Sequence, residues 1–231
     1  MEIQVFESSN GDCPYLKNLE WVSYMFRADT LQSSVYEKMI DNGFRRSGHF
    51  FYKNNCPNCT ECISIRIRVQ DFKMSRSQKR IWKKNKELRI VQHPVEFEKE
   101  GFELYRRYCQ WKHESETSEE NYRDFLIATA VNTNMMRFYN GRDLAGIGWI
   151  DMLENSLSSV YFAFSPDYAK RSLGVYSALK EIELALQMKK TYLHMGFWVR
   201  DCQAMAYKSQ YKPHQLLVDG FWMDSELDLT D

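Results

Sequence analysis

The stretch Pro166-Asp-Tyr-Ala-Lys-Arg171-Ser-Leu-Gly174-Val-Tyr176 separates two segments of different periodicity, and its reading decides the fold. Before it, SLSSVYFAFS (156–165) has the β-branched and aromatic content of a strand. After it, apolar residues recur at helical spacing from about Ser172 to Lys189, which predicts a long amphipathic helix. A strand that turns straight into a helix leaves the first helical N–H groups unpaired, and these, with the helix dipole, favour an anion. Gly174 would let a ligand approach the backbone, and Lys170 and Arg171 supply positive charge. The stretch therefore reads either as an anion-binding turn or as an ordinary capping loop.

The flanking segments extend the pattern. TYLHMGFWV (191–199) follows the helix as a strand, so strand, helix and strand form one βαβ crossover. Upstream lie two helices, Lys99–His113 and Ser118–Val131, then a hairpin signal at Asn140-Gly141 between two strands. Downstream come a helix through Cys202–Tyr207 and a last strand near Gln215–Trp222. This order predicts an α+β domain with a mostly antiparallel sheet. It resembles the acyltransferases of the GNAT class, whose splayed sheet receives an activated acyl donor, and Arg-x-x-Gly-x-Tyr resembles their pyrophosphate-binding turn. Arg171, Gly174 and Tyr176 are accordingly candidate catalytic-site residues. Tyr161, beside the expected sheet opening, reads either as an aid to proton movement or as a core tyrosine.

The first part of the chain has a different character. His93-Pro94 interrupts the periodicity and places a domain boundary there, with a small mixed domain over 1–93 and the acyltransferase-like domain over 94–231. Within the first, Ile63–Val69 alternates as a strand with Ile63, Ile65, Ile67 and Val69 inward and Arg66 and Arg68 on the other face. Ser75-Arg-Ser-Gln78 has the form of a capping box and starts a helix running to about Glu87. On it Arg76, Lys79, Arg80 and Lys83 form one basic ridge, with Lys84 beside it. The net charge is +0, yet ten Lys/Arg against two acidic residues fall between Arg66 and Arg89. Ordinary surface helices mix signs through i,i+4 pairs. A one-sign cluster points to phosphates, and the nucleic-acid candidates are Arg66, Arg68, Arg76, Lys79, Arg80, Lys83 and Lys84.

Cys56-Pro-Asn-Cys59-Thr-Glu-Cys62 puts three of the six cysteines at intervals of three. With Cys13 as a fourth ligand they would suit zinc or an iron–sulfur cluster, and equally they could be small thiols packing a turn. The composition, 44% hydrophobic and 27% charged, is that of a folded soluble protein. No apolar run approaches the roughly 18 residues that span a bilayer. The start MEIQVFESSNGDC lacks the pattern of a signal peptide, so reduced thiols and a cytoplasmic address are expected, with no membrane partner. No Gly-x-Ser-x-Gly, Walker loop, Rossmann fingerprint or His-Glu-x-x-His occurs. A transferase working mainly by positioning is the natural reading.

Several motifs then fall in one order: Cys13-Pro-Tyr-Leu, Asp41-Asn-Gly-Phe-Arg-Arg-Ser-Gly48, the cysteine run with Ile63-x-Ile-Arg-Ile, Ser75-Arg-Ser-Gln-Lys-Arg80, Leu157-Ser-Ser-Val-Tyr, Arg171-Ser-Leu-Gly-x-Tyr-Ser177 and Met205-x-Tyr-Lys208. Together they resemble the arginyl/leucyl-tRNA–protein transferases, in the short bacterial form that acts on aspartate and glutamate. The resemblance covers the chain from about residue 10 to Trp222. It implies transfer of leucine or arginine from charged tRNA, the co-substrate, to the α-amine of proteins beginning with Asp or Glu, which creates a degradation signal. It implies the acceptor end of a leucine or arginine tRNA as partner, on a monomeric enzyme. An acceptor carboxylate needs a cation, for which Arg45, Arg46 and Lys208 are the candidates. An acidic pocket for a donor arginine would draw on Asp151, Glu181 or Glu183. Eukaryotic relatives bind a metal group through amino-terminal cysteines, including a pair where this chain has Cys13 alone. The rival readings are an acetyl-CoA-dependent N-acetyltransferase and a zinc-dependent nucleic-acid-binding module.

Overall fold

The computed structural model describes residues 4–224, so the end of the acidic tail lies outside them. Along the chain come β1 (Phe6–Asp12), β2 (Glu20–Arg27), α1 (Ser33–Asp41), β3 (Arg45–Ser47), β4 (Phe50–Asn54), β5 (Ile63–Arg68), α2 (Arg76–Asn85), β6 (Arg89–Pro94), α3 (Lys99–His113) and α4 (Glu119–Tyr122). Then follow β7 (Thr133–Asn140), β8 (Asp143–Met152), β9 (Ser156–Phe164), α5 (Leu173–Gln187), β10 (Tyr192–Trp198), α6 (Gln203–Ala206), β11 (His214–Val218) and β12 (Phe221–Asp224).

Two sheets result. Strands β1-β2-β4-β3 make a small one, and β12-β11-β5-β10-β9-β8-β7-β6 make an eight-stranded one. The larger sheet is antiparallel at every neighbour except β9 and β10, which the α5 crossover makes parallel. Its faces carry separate cores. Leu157, Ile182, Leu184 and Leu193 cluster on the α5 side, and Tyr122, Ile147 and Trp149 cluster under α3 and α4. A third cluster, with Phe26, Tyr36 and Phe51, joins α1 to the small sheet. Among the described residues no helix is long and apolar enough to cross a membrane.

The mostly antiparallel α+β architecture matches the expectation, but the boundary at residue 93 does not separate two sheets. β5 lies between β11 and β10, and β6 closes the same sheet at its other edge. Pro94 is tolerated because an edge strand can spare a backbone donor. The four strands of the small sheet were not legible as such. Ser75 does cap α2, with the Gln78 amide donating to Ser75 Oγ and the Ser75 amide donating to Gln78 Oε1. The helix expected over 118–131 is only α4 and a π-helical turn, Arg123–Ile127. The single strand expected near Gln215–Trp222 is a hairpin. Asp219 and Gly220 both take positive φ, 50° and 82°, which suits a tight turn between two strands.

One irregularity positions the site. β9 and β10 pair only through Ser156–Ser158 and Tyr192–His194. Beyond them β9 bulges against β8 between Trp149 and Ile150, and β10 slips against β5 between His194 and Phe197. Bulges increase local twist and re-aim a strand. With one on each side of the gap, the two parallel strands part into a fork whose floor is α5.

Candidate active site

At the mouth of the fork, α5 begins after Ser172, which takes φ 56° and whose carbonyl accepts the Val175 and Tyr176 amides. The earlier N–H groups of that turn are the ones a helix cannot satisfy itself. A Cβ on Gly174 would meet nothing within 4 Å, so packing does not demand glycine there and the backbone stays open to approach. Helix α2 buttresses this turn. Asn85 Nδ2 donates to Arg171 O at 3.0 Å, Lys84 Nζ donates to Lys170 O at 2.6 Å, and Trp82 meets Tyr176 edge-on. Arg76, Lys79, Arg80 and Lys83 are exposed on α2 and enter no ion pair among the described residues. Lys84 is tied to the turn it supports. Arg171 pairs with Glu87, while its second terminal nitrogen is buried without a partner.

Inside the fork lie three buried ionisable side chains whose hydrogen-bonding partners are all neutral. Arg45, on β3, donates to Ser158 Oγ at 2.9 Å and to the Ser159 carbonyl at 2.6 Å, with its guanidinium against Gly196. Lys208 donates to the Phe197 carbonyl at 2.7 Å. Burial pulls its amine down to about 7, aided by the nearby Arg45 charge. Glu181, on α5, accepts a hydrogen bond from the Ser177 hydroxyl with Ser159 beside it, and burial pushes its carboxyl up to about 7. Buried charges are normally paired or metal-bound, because an unmatched one forfeits its hydration. Three such groups at one strand fork therefore mark a place shaped for a charged or strongly polar ligand. Glu181 is one of the three acidic residues that the sequence offers for a donor pocket; its burial beside Ser159 and Ser177 was not expected. Its signal was an acidic residue four positions after Ser177, on the apolar stripe of α5 with Leu173 and Leu184.

Other expected site residues lie elsewhere. Arg46 is not available to an acceptor carboxylate. Its guanidinium grips both oxygens of buried Asp151 and also donates to Thr133 Oγ1 at 2.9 Å. Burial opposes that charge, but Asp151 outweighs it and holds Arg46 above its ordinary value. The same pair removes Asp151 from any donor pocket, and Glu183 is paired with Lys180. Arg66 is not a phosphate ligand either. It is sandwiched between the rings of Tyr192 and Trp222, 3.7 and 4.1 Å from their centroids, and bonds Asp41 and Gln215. Arg68 is spent on Asp71 and Asp224. Tyr176 is a core residue between Trp82 and Phe138, with its hydroxyl pushed up to about 12 by burial. Tyr161 lies on the face opposite α5, among Tyr105, Tyr108 and Phe125, and its hydroxyl meets His113 Nε2 at 3.0 Å. Burial holds that hydroxyl far above its ordinary value, which makes it a poor base.

The fold does bring Cys13, Cys56, Cys59 and Cys62 together around a cavity of about 240 Å³, walled by Tyr15 and Trp21. As a donor set, four soft sulfurs fit a thiolate-bound group. Their spacing is looser than a single zinc requires: bonds of about 2.3 Å put tetrahedral sulfurs roughly 3.8 Å apart, and no three of these thiols lie within 4.8 Å of one another. Burial, with the other three thiols adding to it, pushes Cys62 up to about 12, so that sulfur by itself favours its protonated form.

A splayed strand pair, an open helix-start turn beside it and a helix bearing unpaired cations against that turn make an arrangement able to receive an acyl group from an anionic carrier. The comparisons agree. Residues 11–80 match the amino-terminal and residues 100–218 the carboxy-terminal model of arginine-tRNA-protein transferase, and the chain belongs to that family of aminoacyltransferases. It is 34% identical to an aspartate/glutamate leucyltransferase of Hahella chejuensis, over 91% of this chain and 92% of that protein. It is 35% identical to one of Thiobacillus denitrificans, over 97% and 95%. The crystal structure of FemX overlays with a TM-score of 0.46 and 5% identity, over 84% of this chain and 79% of that one.

Proposed function

We propose that this enzyme moves leucine from the 3′ end of a charged tRNA to the α-amine of proteins that begin with Asp or Glu. The observation that carries the reading is that the unpaired cations of α2 and the open turn of α5 share one edge of the fork. The relatives' name supplies the donor and the two acceptor residues. The acceptor-stem phosphates lie along Arg76, Lys79, Arg80 and Lys83, and the terminal nucleotide turns at Leu173–Gly174 so that its aminoacyl ester enters between β9 and β10. The incoming amine attacks the ester carbonyl carbon; the C–N bond forms, the ester C–O bond breaks, and the ribose oxygen leaves with a proton.

An ester is already activated and an α-amine has a pKa of about 7.7 to 8.0, so alignment supplies most of the catalysis. Arg45 is the cation for the acceptor's carboxylate. Lys208, half neutral near pH 7 in its buried position beside Arg45, is placed to take the proton that the acceptor ammonium gives up. Cys13, Cys56, Cys59 and Cys62, spaced too widely for a single zinc ion, would hold an iron–sulfur cluster, whose contribution there would be to pin the small sheet beside the fork. Thiols that remain reduced suit a cytoplasmic setting. The test is a mixed pool of charged tRNAs offered with a Glu-initiated peptide, read by mass spectrometry. A mass gain of one leucine on the peptide's amino terminus is expected. No aminoacyl product from any tRNA, or acetylation when acetyl-CoA is supplied instead, would reject the reading.

A further inference from the structure

We propose that Glu181 receives the α-ammonium of the aminoacyl donor and so makes the enzyme select an amino acid, as opposed to any acyl group, at the tRNA end. The inference rests on the aminoacyl-tRNA reading above and adds the subsite that orients its ester.

Position comes first. Ser159 is the first residue of β9 beyond the last rung shared with β10, and its side chain lies against the Glu181 carboxyl. The carboxyl thus stands at the apex of the fork, on the floor formed by α5. Gly148 of β8 lies over it, where an added Cβ would stand in ordinary contact with Oε1 at 3.7 Å and Ser177 Oγ at 3.4 Å.

Hydrogen bonding comes second. Ser177 Oγ meets Oε1 at 3.3 Å, but Oε2 is buried with no partner. The residue is 1% exposed, and no cation pairs with it among the described residues. An unmatched buried carboxylate oxygen costs stability that a Gln, Met or Leu would not cost. Its presence is accounted for by a donor that arrives with the ligand. Two tyrosines feel the same charge, Tyr207 and Tyr211, and the Tyr211 hydroxyl is likewise buried and unpartnered. A group carrying several N–H donors would answer both unmet hydrogen-bonding needs.

Chemistry selects that group. A leucyl ester has one cation, its α-ammonium, two bonds from the reacting carbonyl carbon. Anchoring it at the apex of the fork leaves the carbonyl facing the open arms, toward Arg45 and Lys208, where the acceptor arrives. A carboxyl that burial holds near 7 is only partly ionised at neutral pH, and a docked ammonium draws it fully into the charged form, which an acyl group without an amine does not.

The experiment uses the full chain, wild type and Glu181→Gln, with a Glu-initiated peptide and three donors. These are leucyl-tRNA, arginyl-tRNA, and the same leucine tRNA carrying the α-hydroxy analogue of leucine. The expected result is a fall of tenfold or more in leucyl transfer by E181Q, expressed mainly in donor KM, with transfer of the hydroxy analogue changed less than twofold. Leucyl transfer within twofold of wild type would overturn the proposal. So would an equal loss for both acyl groups, the mark of a merely structural residue, and so would a loss confined to arginyl-tRNA, which would assign Glu181 to the donor side chain. If wild type transfers nothing from any of the three, the aminoacyl-tRNA reading itself fails and this proposal falls with it.

Discussion

On α2 the cations Arg76, Lys79, Arg80 and Lys83 stand in solvent with no ion pair among the described residues, while at the fork Arg45, Lys208 and Glu181 are almost wholly buried and touch neutral groups. Neither arrangement is the usual one, because surface cations tend to sit near carboxylates and buried ions tend to be paired. The difference separates two tasks. Exposed charge acts at a distance, is screened by salt and can gather any phosphate backbone. Buried charge acts only at contact, in a low dielectric, and can tell one small group from another. A third region sets the contrast in relief: Arg46 and Asp151 are just as buried as the fork residues but satisfy each other, and so do structural work.

Breaking that structural pair should produce the largest effect. Arg46→Ala would leave Asp151 buried and uncompensated, with Thr133 as its remaining partner. A loss of about 3 to 5 kcal/mol follows, a large share of the roughly 5 to 15 kcal/mol that holds a typical domain folded. Denaturant melts measure it. A variant that keeps the wild-type midpoint would show that this pair does not differ from the fork residues after all.

The second effect sharpens the contrast by pH. Glu181 has a folded pKa of about 7, raised by burial above its ordinary 4.5. Below pH 4.5 the carboxyl is neutral in both states and contributes no difference. Between 4.5 and about 7 only the folded state keeps the proton, so stability is lost as pH rises through that window, by about 3 kcal/mol in all. Glu181→Gln lacks this group and should gain on wild type by that amount between pH 4.5 and 8, read as the difference in melting temperature across the series. A pH-independent difference would mean that the fork already compensates its charges.

How much of this could be read from the chain alone follows the range of each interaction. The Ser75–Gln78 cap, the Asn140-Gly141 hairpin and the β9–α5–β10 crossover are written in residues a few positions apart, and each stands where its pattern placed it. Arg45 and Arg46 look equivalent in sequence. Only the fold sends one to Ser158 and the other to Asp151, 105 residues away, because adjacent side chains of β3 point to opposite faces. Arg66 likewise found Gln215, 149 residues on, and left the basic cluster for the interior. Glu181 is named in sequence beside Asp151 and Glu183 as a possible donor-arginine pocket, but nothing local separates the three, and only the fold buries it unpaired while the other two find cations. The small sheet was hidden by strands whose outer faces are largely exposed and so carry weak alternation.

The ridge gives the smallest effect, and the one most easily separated from folding. Arg76, Arg80 and Lys83 bury little surface and bond nothing among the described residues, so replacing all three with alanine should leave the melting temperature within about 2 °C of wild type. Binding of uncharged tRNA should fall by about ten- to a hundredfold near 0.15 M salt. The slope of log affinity against log salt should become shallower by about two to three, since each phosphate contact releases close to one counterion. The slope decides the matter more cleanly than the affinity. If the three cations acted by orienting α2 against the α5 turn, affinity would drop but its salt dependence would not change. If they meet phosphates directly, the number of counterions released must fall with the number of cations removed. Transfer measured at saturating tRNA should then return toward the wild-type rate, because the fork that aligns ester and amine is untouched.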